Sequence, residues 1–384
     1  MKSKKVMAGF ALSLAMAMSI AGCGKAANNS TKAVDKEEKK PQKEDDGKLS
    51  IVCTNFAEYD FARQIAGDKA DLTLLLKPGA ESHSYEPTPQ DIMTIQESDI
   101  FMYVGGDSDE WVEEVLESMD TSHMQVFKLM DSVELMEETI VEGMQEDDHD
   151  HDHEDADHEK KEEHDHEDAD HEKEDDHEDA DHEKEDDHDH EDADHEKEEH
   201  DHDHGEGSAE MDEHVWTSPV NAIKIVEDLS SEIVRLDSEN KSVYEENTKK
   251  YVEELKALDK SFRDLIAGAA RKEIIVGDRF PFAYFCKEYG LTYYAAFPGC
   301  STDTDADAST VAFLIDKVKS DKIPVVFHIE LSNEQMANSI AEATGAKSEL
   351  LNAVHNISDS DFKAGVTYID LMNHNVEVLK EALN

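Results

Sequence analysis

From Leu49 onward the apolar positions fall into short runs that alternate with helical spacings. Leu49 to Cys53 reads as a strand, Phe56 to Ala66 as a helix, and Leu72 to Leu76 as a strand running into Lys77-Pro78-Gly79. Pro89 to Glu97 predicts a helix, and Ile100 to Val104 a strand stopped by Gly105-Gly106. Trp111 to Ser118 follows as a helix and Gln125 to Leu129 as a strand. Such alternation implies a mostly parallel sheet with helices on both faces. A second block begins at Glu273, with strands at Ile274 to Val276, Leu291 to Ala295 and Pro324 to Phe327. Its helices are Phe282 to Tyr289, Ser309 to Lys319, Asn333 to Thr344 and Tyr368 to Leu383. Between the blocks, Val220 to Ala267 contains neither Gly nor Pro and breaks only at Leu236-Asp237-Ser238, where Ser238 is the expected N-cap. Beyond it Val243, Asn247, Tyr251, Leu255, Leu258, Phe262, Leu265 and Ile266 recur at helical spacing. About thirty helical residues reach roughly 45 Å at ~1.5 Å each, enough to run along two lobes. The expected fold is α/β: two doubly wound lobes joined by a single long helix.

The first residues read as an address rather than as structure. Lys2, Lys4 and Lys5 precede an apolar run from Val6 to Ile20. That run is shorter than the ~20 residues a spanning helix needs, but suits the core of a secretory signal. It ends Ile20-Ala21-Gly22-Cys23, small residues followed by a cysteine. The arrangement resembles the lipobox of bacterial lipoproteins, which implies cleavage before Cys23 and a lipid on its sulfur. The polar stretch after it reads as a tether. The expected organisation is therefore a signal at 1–22, an acylated Cys23 and tether over 23–48, an N-terminal lobe over 49–219, helices including the strut over 220–270, and a C-terminal lobe over 271–384.

Charge changes the picture in one place. The chain has 384 residues and a formal net charge of −57. Residues 146–206 hold 36 of the 94 acidic side chains and 5 of the 37 basic ones, so this insert carries over half of the excess. The deficit of Lys and Arg excludes a nucleic-acid binder, which needs clustered cations against phosphate. The insert repeats His-Glu-Asp-Ala-Asp-His-Glu-Lys from His153, His166, His177 and His190 and has nothing apolar larger than Ala to bury. Its imidazoles are His149, His151, His153, His158, His164, His166, His171, His177, His182, His188, His190, His195, His200, His202 and His204. Neutral imidazole suits Zn²⁺ and the neighbouring carboxylates concentrate cations, so weak, multiple metal capture is expected of a segment with no fixed fold. A solvated spacer would not need the histidines.

Outside the insert, two histidines sit in loops of recognisable shape. His83 lies in Lys77-Pro78-Gly79-Ala80-Glu81-Ser82-His83, after a predicted strand, where ligand residues of wound sheets gather. His214 lies in Asp212-Glu213-His214-Val215-Trp216-Thr217-Ser218-Pro219. Cys53 reads as a buried structural thiol, and without a Cys-x-x-Cys pair the remaining Cys286 and Cys300 suggest no disulfide framework. Cys300, in Phe297-Pro298-Gly299-Cys300-Ser301, is a soft donor on a C-lobe loop. His123 and His374 read as surface residues.

The two loops, the lipobox, the acidic tract, the strut and the final helix occur in the order of a known family. The chain resembles the solute-binding lipoproteins of zinc and manganese ABC importers, and in particular the zinc-type members with a His-rich loop. The resemblance implies two lobes with Zn²⁺ between them as transported ligand, and a monomeric receptor lipid-anchored on the outer face of the bacterial membrane. It also implies delivery to a membrane permease with its ATPase. It makes His83 the first ligand and His214, in His-x-Trp-x-x-Pro, the second. At the usual third histidine the present chain has Arg279, in Gly277-Asp278-Arg279-Phe280-Pro281-Phe282. A guanidinium has no lone pair to offer. His355, close to a C-terminal acidic ligand of the manganese members, takes its place in the expected set of His83, His214 and His355. Asp278, Arg279, Glu330 and His328 are expected to ligate or to surround the site, with Arg279 paired to Glu330 or to a carboxylate of the Asp303–Asp305–Asp307 loop. Three imidazoles favour Zn²⁺ over Mn²⁺, which prefers oxygen. Competing readings are a manganese-type receptor, a surface adhesin or metal-buffering lipoprotein, and a zinc hydrolase. The last finds no His-Glu-x-x-His, and the chain is not expected to be an enzyme.

Overall fold

The computed structural model describes residues 47–80, 85–144, 210–301 and 306–384. The signal, Cys23, His83, Asp303, Asp305 and the whole His-rich tract fall outside the described residues. No described helix is long and apolar enough to cross a membrane.

Two four-stranded sheets organise the chain, and every pairing within them is parallel. The first contains β1 (Leu49–Cys53), β2 (Ala70–Leu74), β3 (Ile100–Tyr103) and β4 (Gln125–Lys128) in the order β2-β1-β3-β4. The second contains β5 (Glu273–Arg279), β6 (Thr292–Phe297), β7 (Val325–His328) and β8 (Lys347–Leu350) in the order β6-β5-β7-β8. Both sheets thus reverse winding direction beside their first strand. Wound sheets bind ligands at that switch point, outside the carboxyl ends of the strands.

Helices α1 (Phe56–Ala66), α2 (Pro89–Gln96) and α3 (Glu110–Glu117) belong to the first block, and α6 (Ala283–Tyr289), α7 (Ala308–Asp321) and α8 (Gln335–Thr344) to the second. Between them run α4 (Pro219–Leu236) and the 28-residue α5 (Lys241–Gly268). The short α9 (Asp359–Ala364) and α10 (Tyr368–Ala382) close the chain. At ~1.5 Å per residue α5 is about 42 Å long. Its buried Tyr251, Leu255, Leu258, Phe262 and Ile266 pack on α1 and α4 at one end and on α6 and α10 toward the other. The apolar spacing predicts this strut, and burial of one stripe holds it against helices of both blocks. Ser238 is not its cap. Asp237 instead accepts from the Asn240 N–H and closes a 3-10 turn ahead of α5, its carboxylate also taking the Tyr244 hydroxyl at 2.6 Å.

The core does not divide at the strut. One cluster of buried side chains runs from Ile51 and Phe61 through Tyr244 and Phe262 to Phe327 and Leu379. Polar ties reinforce it. Tyr368 donates its hydroxyl to Trp216 O at 2.8 Å and its N–H to the buried Asp60 carboxylate at 2.6 Å. Trp216 Nε1 donates to Ala353 O at 2.8 Å, and Tyr284 Oη to Asp212 O at 2.8 Å. Such ties, buried on both sides, oppose wide separation of the two sheets.

Candidate metal centre

His214 is fully buried, at the turn between Asp212-Glu213 and the 3-10 segment Val215–Thr217 that leads into α4. Asp212 holds it twice. One carboxylate oxygen accepts the His214 backbone N–H at 2.8 Å and stands 3.3 Å from its Nδ1. The two-residue spacing makes this a local side-chain turn of the kind aspartate favours. The His214 carbonyl receives the Thr217 N–H at 3.1 Å and the Thr217 hydroxyl at 2.8 Å, which starts the following helix.

His355 reaches the same place from the other sheet, on the segment after β8, and is 7% exposed. Glu330, beyond the end of β7, governs its approach. The carboxylate accepts the N–H of Ala353 at 2.7 Å and of His355 at 2.8 Å, and lies 3.5 Å from His355 Nδ1. Between those residues Val354 has φ +65° while fully buried. A β-branched residue in the left-handed region costs ~1–3 kcal/mol, a strain that persists only where surroundings enforce it. Here the enforcement is visible. His355 O accepts the Phe56 N–H of α1 at 2.9 Å, and Asn356 donates to Lys77 O at 2.8 Å and Ala80 O at 2.9 Å. The segment carrying His355 thereby fastens the base of the Pro-Gly loop that leads toward residue 83.

The two imidazoles meet edge to face, with ring centroids 4.9 Å apart and planes at 81°. Trp216 packs on both, at 5.6 Å and 5.2 Å between centroids. A carboxylate oxygen stands 3.3 Å from Nδ1 of His214 and 3.5 Å from Nδ1 of His355, which favours the tautomer with the lone pair on Nε2. Outer carboxylates of this kind orient metal-ligating histidines and raise their basicity. Burial pulls the His214 pKa down, but Asp212, Glu213 and Glu138 outweigh it and leave the pKa above the ordinary imidazole value.

Cys300 and Glu213 border His214 closely: one donor atom from each of the three falls within 4.8 Å of the others. Glu213 accepts from Ser108 N at 3.2 Å and from its hydroxyl. Burial pushes the Glu213 carboxyl and the Cys300 thiol up, and Glu213 and Glu138 push the thiol further. The Cys300 loop is clamped from the first block by Glu138, whose carboxylate accepts Gly299 N at 2.9 Å and Cys300 N at 3.3 Å.

The surrounding residues correct part of the sequence reading. Glu330 is not the partner of Arg279; it faces His355 and the Ala353–His355 backbone. Arg279 is 7% exposed, and its Nη1 lies 3.5 Å from Ser301 O. Asp278 spends one oxygen on Arg279 N at 2.9 Å and the other on Ile329 N at 3.3 Å, so it latches the ends of β5 and β7. His328 ends β7 half-buried, its Nδ1 3.2 Å from Ile329 O. Cys53 is buried with its Sγ 3.8 Å from Met102 Sδ, and Cys53, Cys286 and Cys300 are free. Asp212 and Glu213 were missed as site residues, although the Asp-x-His spacing was available. Glu330 carried no sequence signal for its role toward His355, because that pairing is tertiary.

Two switch points facing one buried cluster of imidazole, thiol and carboxylate define a two-lobed α/β protein of the solute-binding class, with the donor set of a soft divalent cation. The chain belongs to the family of the zinc-uptake complex component A, periplasmic (ZnuA), whose model matches residues 51–382. It is 32% identical over 336 residues to the high-affinity zinc uptake system protein ZnuA of Bacillus subtilis, covering 88% of each chain. It is 30% identical over 340 residues to the zinc-binding lipoprotein AdcA of Streptococcus pneumoniae, covering 88% of this chain and 57% of that protein. The chain thus spans little more than half of that longer relative. Among solved structures it resembles the Zn(II)-bound ZnuA-like domain of the pneumococcal AdcA, with a TM-score of 0.62, 27% identity, and coverage of 88% and 99% of the two chains.

Proposed function

We propose that this protein is an extracytoplasmic zinc receptor that captures Zn²⁺ between its lobes and hands it to the permease of an ABC importer powered by its ATPase. The observation that carries the reading is the pair His214 and His355, buried, 4.9 Å apart between ring centroids, each with Nδ1 on a carboxylate. Neutral imidazoles with oriented Nε2 lone pairs are borderline donors that suit Zn²⁺ better than the oxygen-seeking Mn²⁺. His83 is proposed as a further imidazole, on the loop whose base Asn356 fastens. The names of the relatives, a zinc uptake protein and a zinc-binding lipoprotein, favour the same cargo.

Binding is chemical, not catalytic. Asp212 and Glu330 hold the rings in place before the cation arrives, which lowers the ordering cost of capture. The cation then ties elements from both sheets together, so occupied and empty forms differ in how firmly the Lys77–Ala80 and His355 segments are held. The tract around His149 to His204 supplies weak, multiple sites that raise the local metal concentration. Cys23 anchors the receptor near the permease, and the protein acts as a monomer.

The test is zinc binding in competition with a chromophoric chelator strong enough to strip the tract. One tight site is expected per chain, lost in the His214→Ala/His355→Ala double variant. A tight site unaffected by that double change would refute the reading. For the anchor, Cys23→Ala is expected to release the protein from membranes.

A further inference from the structure

Arg279 stands where the family resemblance places an imidazole, and a guanidinium offers a cation no lone pair. The geometry points to Cys300: its thiolate is a zinc donor beside His214, and Arg279 serves to position the loop that carries it. This inference rests on the receptor reading above and specifies its donor set.

Three placements carry it. Cys300 Sγ belongs to the one group of three potential metal donors among the described residues, with His214 and Glu213, all three donor atoms within 4.8 Å of one another. A cation bonded to sulfur at ~2.3 Å and to imidazole nitrogen at ~2.0 Å would leave those two donors about 3.5 Å apart in a tetrahedron, a separation reached with little movement. The backbone is built to keep the thiol there. Glu138 accepts the N–H of Gly299 and of Cys300, and Arg279 points Nη1 at the carbonyl of Ser301, so the cysteine is bracketed by anchors on both sides. Finally, Gly299 presses against the imidazole itself: a Cβ there would stand 2.8 Å from His214 Cε1 and 3.0 Å from its Nδ1. The Pro-Gly-Cys turn therefore packs on His214 through a residue with no side chain, and sulfur follows one residue later.

Glu213 is the other donor in reach, but it accepts both the N–H and the hydroxyl of Ser108. Its oxygens are thus engaged on the Ser108 side of the site. On coordination the Cys300 S–H proton leaves to solvent as the S–Zn bond forms, which is the ordinary exchange at a thiolate site. A sulfur donor raises preference for Zn²⁺ over Mn²⁺ beyond what imidazoles give.

Cobalt(II) substitution of the full mature chain reads this directly, because sulfur bound to Co²⁺ gives an intense near-ultraviolet charge-transfer band that nitrogen and oxygen donors do not. The His-rich tract contains no cysteine and stays silent in that region. The expected result is one charge-transfer band per chain, displaced by Zn²⁺ and absent in Cys300→Ser. Cys300→Ser is also expected to bind zinc more than about 100-fold more weakly, beyond the loss that an outer-shell change produces. A wild-type protein that binds one Co²⁺ tightly without the band, or a band that survives Cys300→Ser, would overturn the sulfur assignment and leave the receptor reading standing. No tight cobalt or zinc site in the wild type would remove both. Iodoacetamide labelling of Cys300, followed by peptide mass, is an independent check that needs no variant. Zinc is expected to slow it at least about tenfold, since a metal-held thiolate is no longer a free nucleophile; an unchanged rate counts against the proposal.

Discussion

His355 Nδ1 lies 3.5 Å from Glu330 Oε1, and the same carboxylate accepts the backbone N–H of both Ala353 and His355. One buried group thus sets the ring orientation and the strained backbone on which the ring rides. Burial raises the Glu330 pKa, while the N–H groups around it work in the opposite direction.

Glu330→Gln keeps the shape and removes the charge. The amide can accept one or both backbone N–H groups but no longer supports the polarity of His355 Nδ1–H. Zinc affinity is expected to fall 10- to 100-fold, about 1.4–2.7 kcal/mol, the range seen when an outer partner of a ligating histidine is lost. Chelator competition checks it. Full affinity in a folded Glu330→Gln protein would show that His355 does not depend on this carboxylate.

Gly299→Ala tests the contact between the Pro-Gly-Cys turn and the His214 imidazole. The added methyl meets His214 Cε1 at 2.8 Å and the Phe280 carbonyl at 3.0 Å. The carbonyl belongs to the backbone and His214 is fixed by Asp212, so neither yields cheaply. A destabilisation of ~1–3 kcal/mol is expected from overpacking, with weaker zinc binding even under conditions where the variant stays folded. Denaturant melts with and without Zn²⁺ separate the two effects.

Stability has its own pH dependence, carried by two buried carboxyls. Glu58 is fully buried and its pKa is raised to about 8, first by burial and then by the Asp109 carboxylate. Asp109 is itself raised to about 7, chiefly by burial. Both folded pKa values lie above the unfolded ones, so the folded state holds protons that the unfolded state releases. Stability from these groups is complete below the unfolded pKa values and declines as pH rises toward 8. Glu58→Gln mimics the protonated acid, keeping an oxygen for the N–H groups of Thr54 and Asn55. It is expected to be more stable than wild type at pH 8 by a few kcal/mol, about 1.4 per pKa unit suppressed, and to lose that advantage near pH 4. Urea melts across that range would show parallel curves if the idea is wrong.

Much of this architecture was legible before any coordinates. Strands such as Ile100–Tyr103 are unbroken apolar runs because both faces of a parallel sheet are covered, and the strut announced itself through one apolar stripe. The edge strand β8 was not visible: Lys347–Leu350 (KSEL) has a single large apolar residue, since an edge is half solvated. β2 starts at Ala70 instead of Leu72, because pairing with Leu49 extends it beyond the apolar residues. Of the candidate site, the segments single out His214 and His355, whose rings the structure sets 4.9 Å apart between centroids. The position of Cys300 against His214 and the turn of Glu330 toward His355 were not, because both depend on how loops from different strands meet in space.

Proton competition at His214 gives the final prediction. Burial lowers its pKa, but Asp212, with Glu213 and Glu138, carries it above the usual imidazole value. A cation needs the neutral ring, so protons begin to compete at a higher pH than they would for an ordinary histidine near 6.5. Apparent zinc affinity is therefore expected to fall more steeply as pH drops through the His214 pKa, by about tenfold per unit for each proton displaced. Asp212→Asn acts on this curve in two opposed ways. It removes the strongest contribution that raises the pKa, so the steeper fall begins at lower pH; it also removes the charge behind Nδ1, so the affinity above that pH is lower. The wild-type and variant curves should consequently be well separated at pH 8 and converge as the solution is acidified. Chelator competition from pH 8 down to about 5.5 draws both curves. Lines that stay parallel across that interval would mean that the Asp212 carboxylate does not control the proton on His214.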